Sequence, residues 1–148
     1  MKKGICVGVV LMLCLGIFTG CSNSSYVGKW TTTKIRETGK NEKDFEKEMG
    51  YKEILTLNAD GSYSKEWISV DEKKCSEKIC KKWTDDFKKN CRNPKWKELN
   101  SSRDNCEGVV LWDDNKNEPD TDDKLDFYFD GDYLKKREEN SSATYYER

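Results

Sequence analysis

Histidine is absent from the chain. Its absence removes the commonest general base near neutral pH, the Ser–His–Asp and Cys–His arrangements, and every HExxH metal site. Paired carboxylates of the glycosidase kind need no histidine. With 28 Asp and Glu, however, closeness in sequence says nothing about which two face each other. No enzymatic activity is expected. Long apolar runs are lacking too. The longest, Ile5 to Phe18, would reach only about 21 Å as a helix, short of a bilayer core of roughly 30 Å. Cysteines in paired Cys-x-x-Cys spacing are missing, so no common zinc knuckle and no metal site are expected. Hydrophobic residues make up 34% against 37% charged, which raises the question of disorder. Five tryptophans, all beyond residue 20, and alternating apolar segments answer it in favour of a thin, aromatic core.

At the amino terminus, Lys2 and Lys3 precede the short apolar run, and small residues close it: a secretory signal pattern. The sequence Phe18, Thr19, Gly20, Cys21 resembles the lipobox of bacterial lipoproteins. That resemblance implies a signal peptide over 1–20, diacylglycerol on the Cys21 sulfur, and acylation (palmitate) of the new amino terminus. Phe18 stands where the family usually carries Leu or another aliphatic, which predicts slower processing. Several acyl chains hold a protein to a membrane effectively permanently. Residues 21–25 then form a tether of at most about 3.5 Å per residue, and 26–148 a single domain close to the bilayer. The expected localisation is the cell membrane or outer membrane, facing the periplasm or the cell exterior.

Cys6 and Cys14 leave with the signal segment, and Cys21 carries lipid. Cys75, Cys80, Cys91 and Cys106 remain. An even number in an exported domain predicts two disulfides, with three connectivities open.

Tyr26 to Arg36, rich in Thr with Trp30 and Ile35, suits a strand. A short helix is expected over 41–49, with Asn41 as its cap, Phe45 and Met49 on one face, and Gly50 ending it. The clearest local unit is a hairpin: Ile54–Leu57, an Asp60-Gly61 turn, then Ser62–Val70. Tyr63 and Trp67 share one face of it, and Ile68 and Val70 the other. Residues 72–106 interrupt this pattern. Ser76 can cap a helix with Ile79, Cys80, Trp83 and Phe87 on one side, and Pro94 then breaks regularity. The segment reads as a disulfide-stapled, partly helical insertion. Strand signals return at Val109–Trp112; Leu125, Phe127 and Phe129 alternate; and turns at 130–132 and 140–142 separate the last strands. The fold expected is mainly β, an antiparallel barrel or sandwich.

Gly28, Lys29, Trp30 resembles the Gly-x-Trp signature of lipocalins, and the Asp60-Gly61 hairpin and the ending Tyr145, Tyr146, Glu147, Arg148 are similar to lipocalin-like domains. The resemblance covers 26–70 and 107–148. It implies a small lipocalin-like β-barrel whose floor is closed by Trp30 with an arginine, Arg148 or Arg137, across it. It also implies a small apolar or amphiphilic ligand, with Tyr63, Trp67, Phe127 and Phe129 as the residues to line its site. The strands are few for eight, so a collapsed barrel is the competing expectation. A collapsed barrel would make the domain an interaction or inhibitor module for an envelope protein, working through the basic insertion.

Charge is unevenly spread. Residues 72–106 carry 11 Lys and Arg against 6 acidic residues, and 107–132 carry 10 acidic residues against two lysines. The basic stretch could face the acidic one or anionic lipid headgroups. The acidic run from Asp113 fails as an EF-hand, because Glu118 and Lys124 stand where Gly and Glu are required. Nucleic acid is not expected as a partner of an exported acidic domain. No cofactor is expected, and the chain is expected to be monomeric.

Overall fold

The computed structural model describes residues 25–138 and 142–148. The signal segment, Cys21, most of the tether and most of the turn at 140–142 lie outside the described residues. Nine strands and two helices follow in order: β1 (Gly28–Arg36), β2 (Lys43–Asp44), α1 (Phe45–Met49), β3 (Tyr51–Leu57), β4 (Tyr63–Ser69), α2 (Glu77–Asn90), β5 (Pro94–Ser101), β6 (Cys106–Asp113), β7 (Phe127–Asp130), β8 (Tyr133–Arg137) and β9 (Ala143–Glu147). Eight form one antiparallel, curled half-barrel sheet in the order β4-β3-β1-β9-β8-β7-β6-β5, with β2 pairing β1 to the side. Apart from β4 and β5, which α2 separates, strands consecutive along this sheet's chain path are neighbours in space, and the first strand pairs with the last.

The two ends of this sheet, β4 and β5, meet at one bridge, Ser62 with Lys95. The Trp96 backbone N–H donates to the Gly61 carbonyl at 2.8 Å beside it, and the Trp96 indole donates to the Asn58 carbonyl at 2.9 Å. Beyond this point the strands part, and α2 runs along β4 in their place. Thr84 on α2 accepts the Trp67 backbone N–H at 3.0 Å, so the helix satisfies a donor that an open strand edge would leave to another chain.

Helix caps follow local chemistry. Asp44, not Asn41, caps α1 by accepting from the Lys47 N–H, so the helix is only five residues long. Gly50 ends it at φ 77°, a left-handed conformation that glycine adopts without strain. Ser76 caps α2 as its sequence predicts. Its buried side differs from the expected one. Cys80 and Thr84 are buried, while Ile79 and Trp83 are largely exposed, because the helix leans on the edge of one strand and not on a broad sheet face.

The insertion is corrected further. Pro94 opens a strand instead of breaking one, and β5 pairs with β6 along its whole length. Proline is tolerated at the first position of an edge strand because no partner needs its missing N–H. No two of Cys75, Cys80, Cys91 and Cys106 stand at disulfide distance in this structure. Cys75 and Cys80 have sulfurs 3.5 Å apart, beyond a covalent bond of about 2.05 Å. Cys91 sits 3.6 Å from the Tyr63 hydroxyl, and Cys106 packs against a separate cluster.

Ten buried residues fill the concave side: Trp30, Leu55, Leu57, Tyr63, Trp96, Val109, Phe127, Leu134 and Tyr146, with Tyr26 beneath. A smaller cluster, Leu99, Val110, Leu125 and Tyr128, packs on the outer side. The expected alternation of Leu125, Phe127 and Phe129 fails at its first member, because Leu125 precedes β7 and turns outward with its N–H held by Asp104 at 2.8 Å.

Candidate functional site

Antiparallel registry defines two ends of the half-barrel. β1 starts, and β3 and β9 finish, at the closed end. Trp30 lies there, 2% exposed, its indole N–H donating to the Tyr26 carbonyl at 2.8 Å. The Arg148 guanidinium lies 4.8 Å from the Trp30 ring centre, whereas Arg137 lies over Tyr128 on the outside at 4.6 Å. Gly28, at φ 145°, lets the chain enter beside the Arg148 side chain. The closed end is dry and aromatic.

The open end is built differently. On the inward face of β3, Leu57 and Leu55 give way to Glu53 and Tyr51, and on β4 Tyr63 gives way to Lys65 and Trp67. Glu53 is 8% exposed. Its backbone N–H donates to the Thr32 hydroxyl at 3.0 Å. Lys65 Nζ stands 3.4 Å from its Oε1, and among the described residues Oε1 has no hydrogen-bond partner. Burial, then the nearby Glu53 charge, raises the Tyr146 phenol well above its usual range. Above these groups lies a cup of about 670 Å³ lined by Ile35, Phe45, Met49, Tyr51, Glu53 and Tyr146 on one side and by Lys136, Glu138, Ser142 and Thr144 on the other. Its wall is more polar than apolar.

Across Glu138 and Ser142, on the outer face of the sheet, is a second depression of about 680 Å³. Among the described residues its charged lining is Arg36, Lys40, Lys124, Lys135 and Arg137 against Glu138 alone. Lys135 pairs with Asp130 at 3.3 Å and Lys40 with Glu37. This basic basin comes from three distant segments, and the charge pattern of 72–106 gives no hint of it.

A third recess, about 360 Å³, lies under α2 and is lined by Tyr51, Trp67, Trp83, Asp86, Phe87 and Asn90.

The four residues expected to line a ligand site do not line one cavity. Tyr63 and Phe127 are buried in the core, at 8% and 0% exposure. Phe129 reaches the closed end, edge-on to Tyr26 at 5.3 Å. Only Trp67 borders a recess. Burial and the Cys91 hydrogen bond push the Tyr63 phenol far above its ordinary value. The residues around the cup escape sequence reading because they come from β1, α1, β3, β8 and β9, and Glu53 looks like any other acidic side chain. The basic and acidic stretches do meet, through Lys97 and Glu118 at 2.8 Å and through the Arg92 N–H on Asp113 at 2.9 Å. Among the described residues no cluster of three His, Cys, Asp or Glu could hold a metal ion, and no helix is long and apolar enough to cross a membrane. The chain matches no family model, no curated protein and no solved structure.

Proposed function

We propose that this is a lipid-anchored envelope protein, attached through Cys21, whose lipocalin-like domain is non-enzymatic and binds a small amphiphile at its open end. The observation that carries the reading is the cup: apolar side chains on one wall, a buried carboxylate at its base, and a cationic basin sharing its rim. An amphiphile with an acidic head fits that division, its apolar part against Ile35, Phe45 and Met49 and its head turned over the rim at Glu138 and Ser142 toward Arg36 and Arg137 on the outer face. The packed core weighs against a ligand carried deep inside and favours binding at the mouth. Trp30 and Arg148 act as the closure of the opposite end, which leaves one way in.

The test is recovery of the ligand. The full chain is purified from its own membranes with and without the cup-filling change Thr144→Trp, extracted with organic solvent, and the extracts compared by mass spectrometry. An amphiphile present with the unchanged chain and absent with the variant supports the reading; identical extracts refute it.

A second reading, a module for an envelope protein, is favoured by α2, whose outer side exposes Lys78, Lys81, Lys82, Lys88 and Lys89. Reversal of two of these lysines to Glu would abolish capture of an acidic partner and leave amphiphile binding intact.

Export also bears on the thiols. Of the three connectivities, the fold favours Cys75 with Cys80. Two thiols would lose two protons, and their two electrons would pass to a disulfide-bearing oxidant. Burial, ahead of the Cys75 contact, holds the Cys80 thiol up at about 11, so the bond forms slowly without an oxidoreductase. Intact mass would fall by about 2 Da on oxidation, and blocking Cys75 by substitution with Ser would remove the change.

A further inference from the structure

We propose that the recess between α2 and the β3–β4 hairpin receives a quaternary alkylammonium group. The inference is independent of what fills the cup, although Tyr51 lines both spaces.

Three elements supply the walls. Tyr51 opens β3, Trp67 lies late in β4, and Trp83 and Phe87 sit one turn apart on α2. Asp86 and Asn90 follow on the same side of the helix, at spacings of three and four. The rings are crossed, not stacked. Tyr51 and Trp83 have centres 5.2 Å apart at 69°, and Trp67 and Phe87 are 6.3 Å apart at 63°. Parallel stacking would hide π faces against each other, whereas crossed rings offer faces from several directions to one guest. A cation gains from each face through the ring quadrupole. Trp83, 37% exposed, leaves the recess open to solutes.

Charge selects the guest further. Among the described residues, Asp86 is the single charged one in the lining, and neither Lys nor Arg contributes to it. This is unusual in a chain with 27 Lys and Arg. Elsewhere the protein lays its own cations over its rings: Arg148 on Trp30, Arg137 on Tyr128, Lys97 on Trp112, Lys135 on Tyr145, Lys34 on Tyr133 and Lys65 on Phe127. No such pair among the described residues involves Tyr51, Trp67, Trp83 or Phe87. A purely apolar guest would use the rings but have no use for the carboxylate. A quaternary ammonium uses both, because its methyl groups meet the ring faces and its charge needs no directional hydrogen bond.

The test is a titration of the full chain, in an uncharged detergent, with choline, read by the indole N–H resonances of Trp67 and Trp83. Saturable shifts of both are expected. The uncharged carbon isostere 3,3-dimethylbutan-1-ol should bind about tenfold more weakly, the share that a cation–π contact supplies. Asp86→Asn, at an exposed position, should weaken choline several-fold, and Trp83→Ala should abolish its binding. Equal binding of choline and the isostere would overturn the proposal in favour of an apolar slot. An absence of saturable shifts would overturn it outright, as would an Asp86→Asn variant with unchanged affinity.

Discussion

Gly108 is held small by its neighbour strand: a methyl group there would come within 2.0 Å of the Phe127 carbonyl oxygen and 2.8 Å of Leu125. The backbone oxygen cannot swing away without breaking the β6–β7 pairing. Gly108→Ala should therefore cost about 1–3 kcal/mol or more, the range for overpacking, and urea denaturation measures it. Arg148 poses a gentler case. Its guanidinium is exposed at the outer face of Trp30, so Arg148→Ala should cost only about 0.5–1 kcal/mol. Trp30→Ala, by contrast, would open a core cavity at about 3–5 kcal/mol. Phenols give the alkaline limit. Burial, ahead of nearby carboxylates, pushes Tyr26 and Tyr51 up to about 12 from 10, and Tyr146 is raised too. A folded value above the unfolded one means that the stability gained by keeping the phenols neutral is complete below pH 10 and is lost as pH climbs through 12. Absorbance of phenolate near 295 nm, followed against pH, should show these tyrosines ionising only as the fold opens.

At the scale of elements, α2 has two duties: it seals the edge of β4 and supplies rings to a surface recess. The seal depends on Thr84, which accepts from Trp67 and donates to the Cys80 carbonyl at 3.1 Å. Thr84→Val keeps the shape and removes the acceptor, at about 1–3 kcal/mol for an unsatisfied buried donor. Hydrogen exchange at the Trp67 amide should accelerate in this variant while exchange in β1 and β9 stays slow. Equal acceleration throughout would mean that the helix is part of the global fold, not a local stave. Much of this element-level structure was legible beforehand. The Asp60-Gly61 hairpin, the Ser76 cap and the Gly50 stop all depend on chemistry within a few residues. β5 was not legible: its proline and its polar alternation look like an irregular loop until β6 is seen beside it.

For the whole molecule, a thin core is made sufficient by aromatics. Trp30, Trp96, Phe127 and Tyr146 fill the concave side that a carrier of large ligands would keep open. The half-barrel class could be inferred from strand spacing and turn residues, but the cup and the basin could not. Ile35, Glu53 and Thr144 are separated by up to 109 positions and converge only when β1 pairs with both β3 and β9. Likewise the basic basin draws on Arg36, Lys124 and Arg137, each unremarkable where it stands in sequence. Reading charge along the chain points instead to 72–106, where most lysines face solvent on α2.

Binding at the mouth is tested most directly by titrating the full chain with a fluorescent acidic amphiphile and its uncharged counterpart of equal chain length, alongside Thr144→Trp and a double change of Arg36 and Arg137 to Gln. Saturable binding should be lost when Thr144 becomes Trp. The double Gln change should weaken only the acidic probe, and Trp83→Ala should alter neither. Undiminished binding by the Thr144→Trp variant would contradict the account.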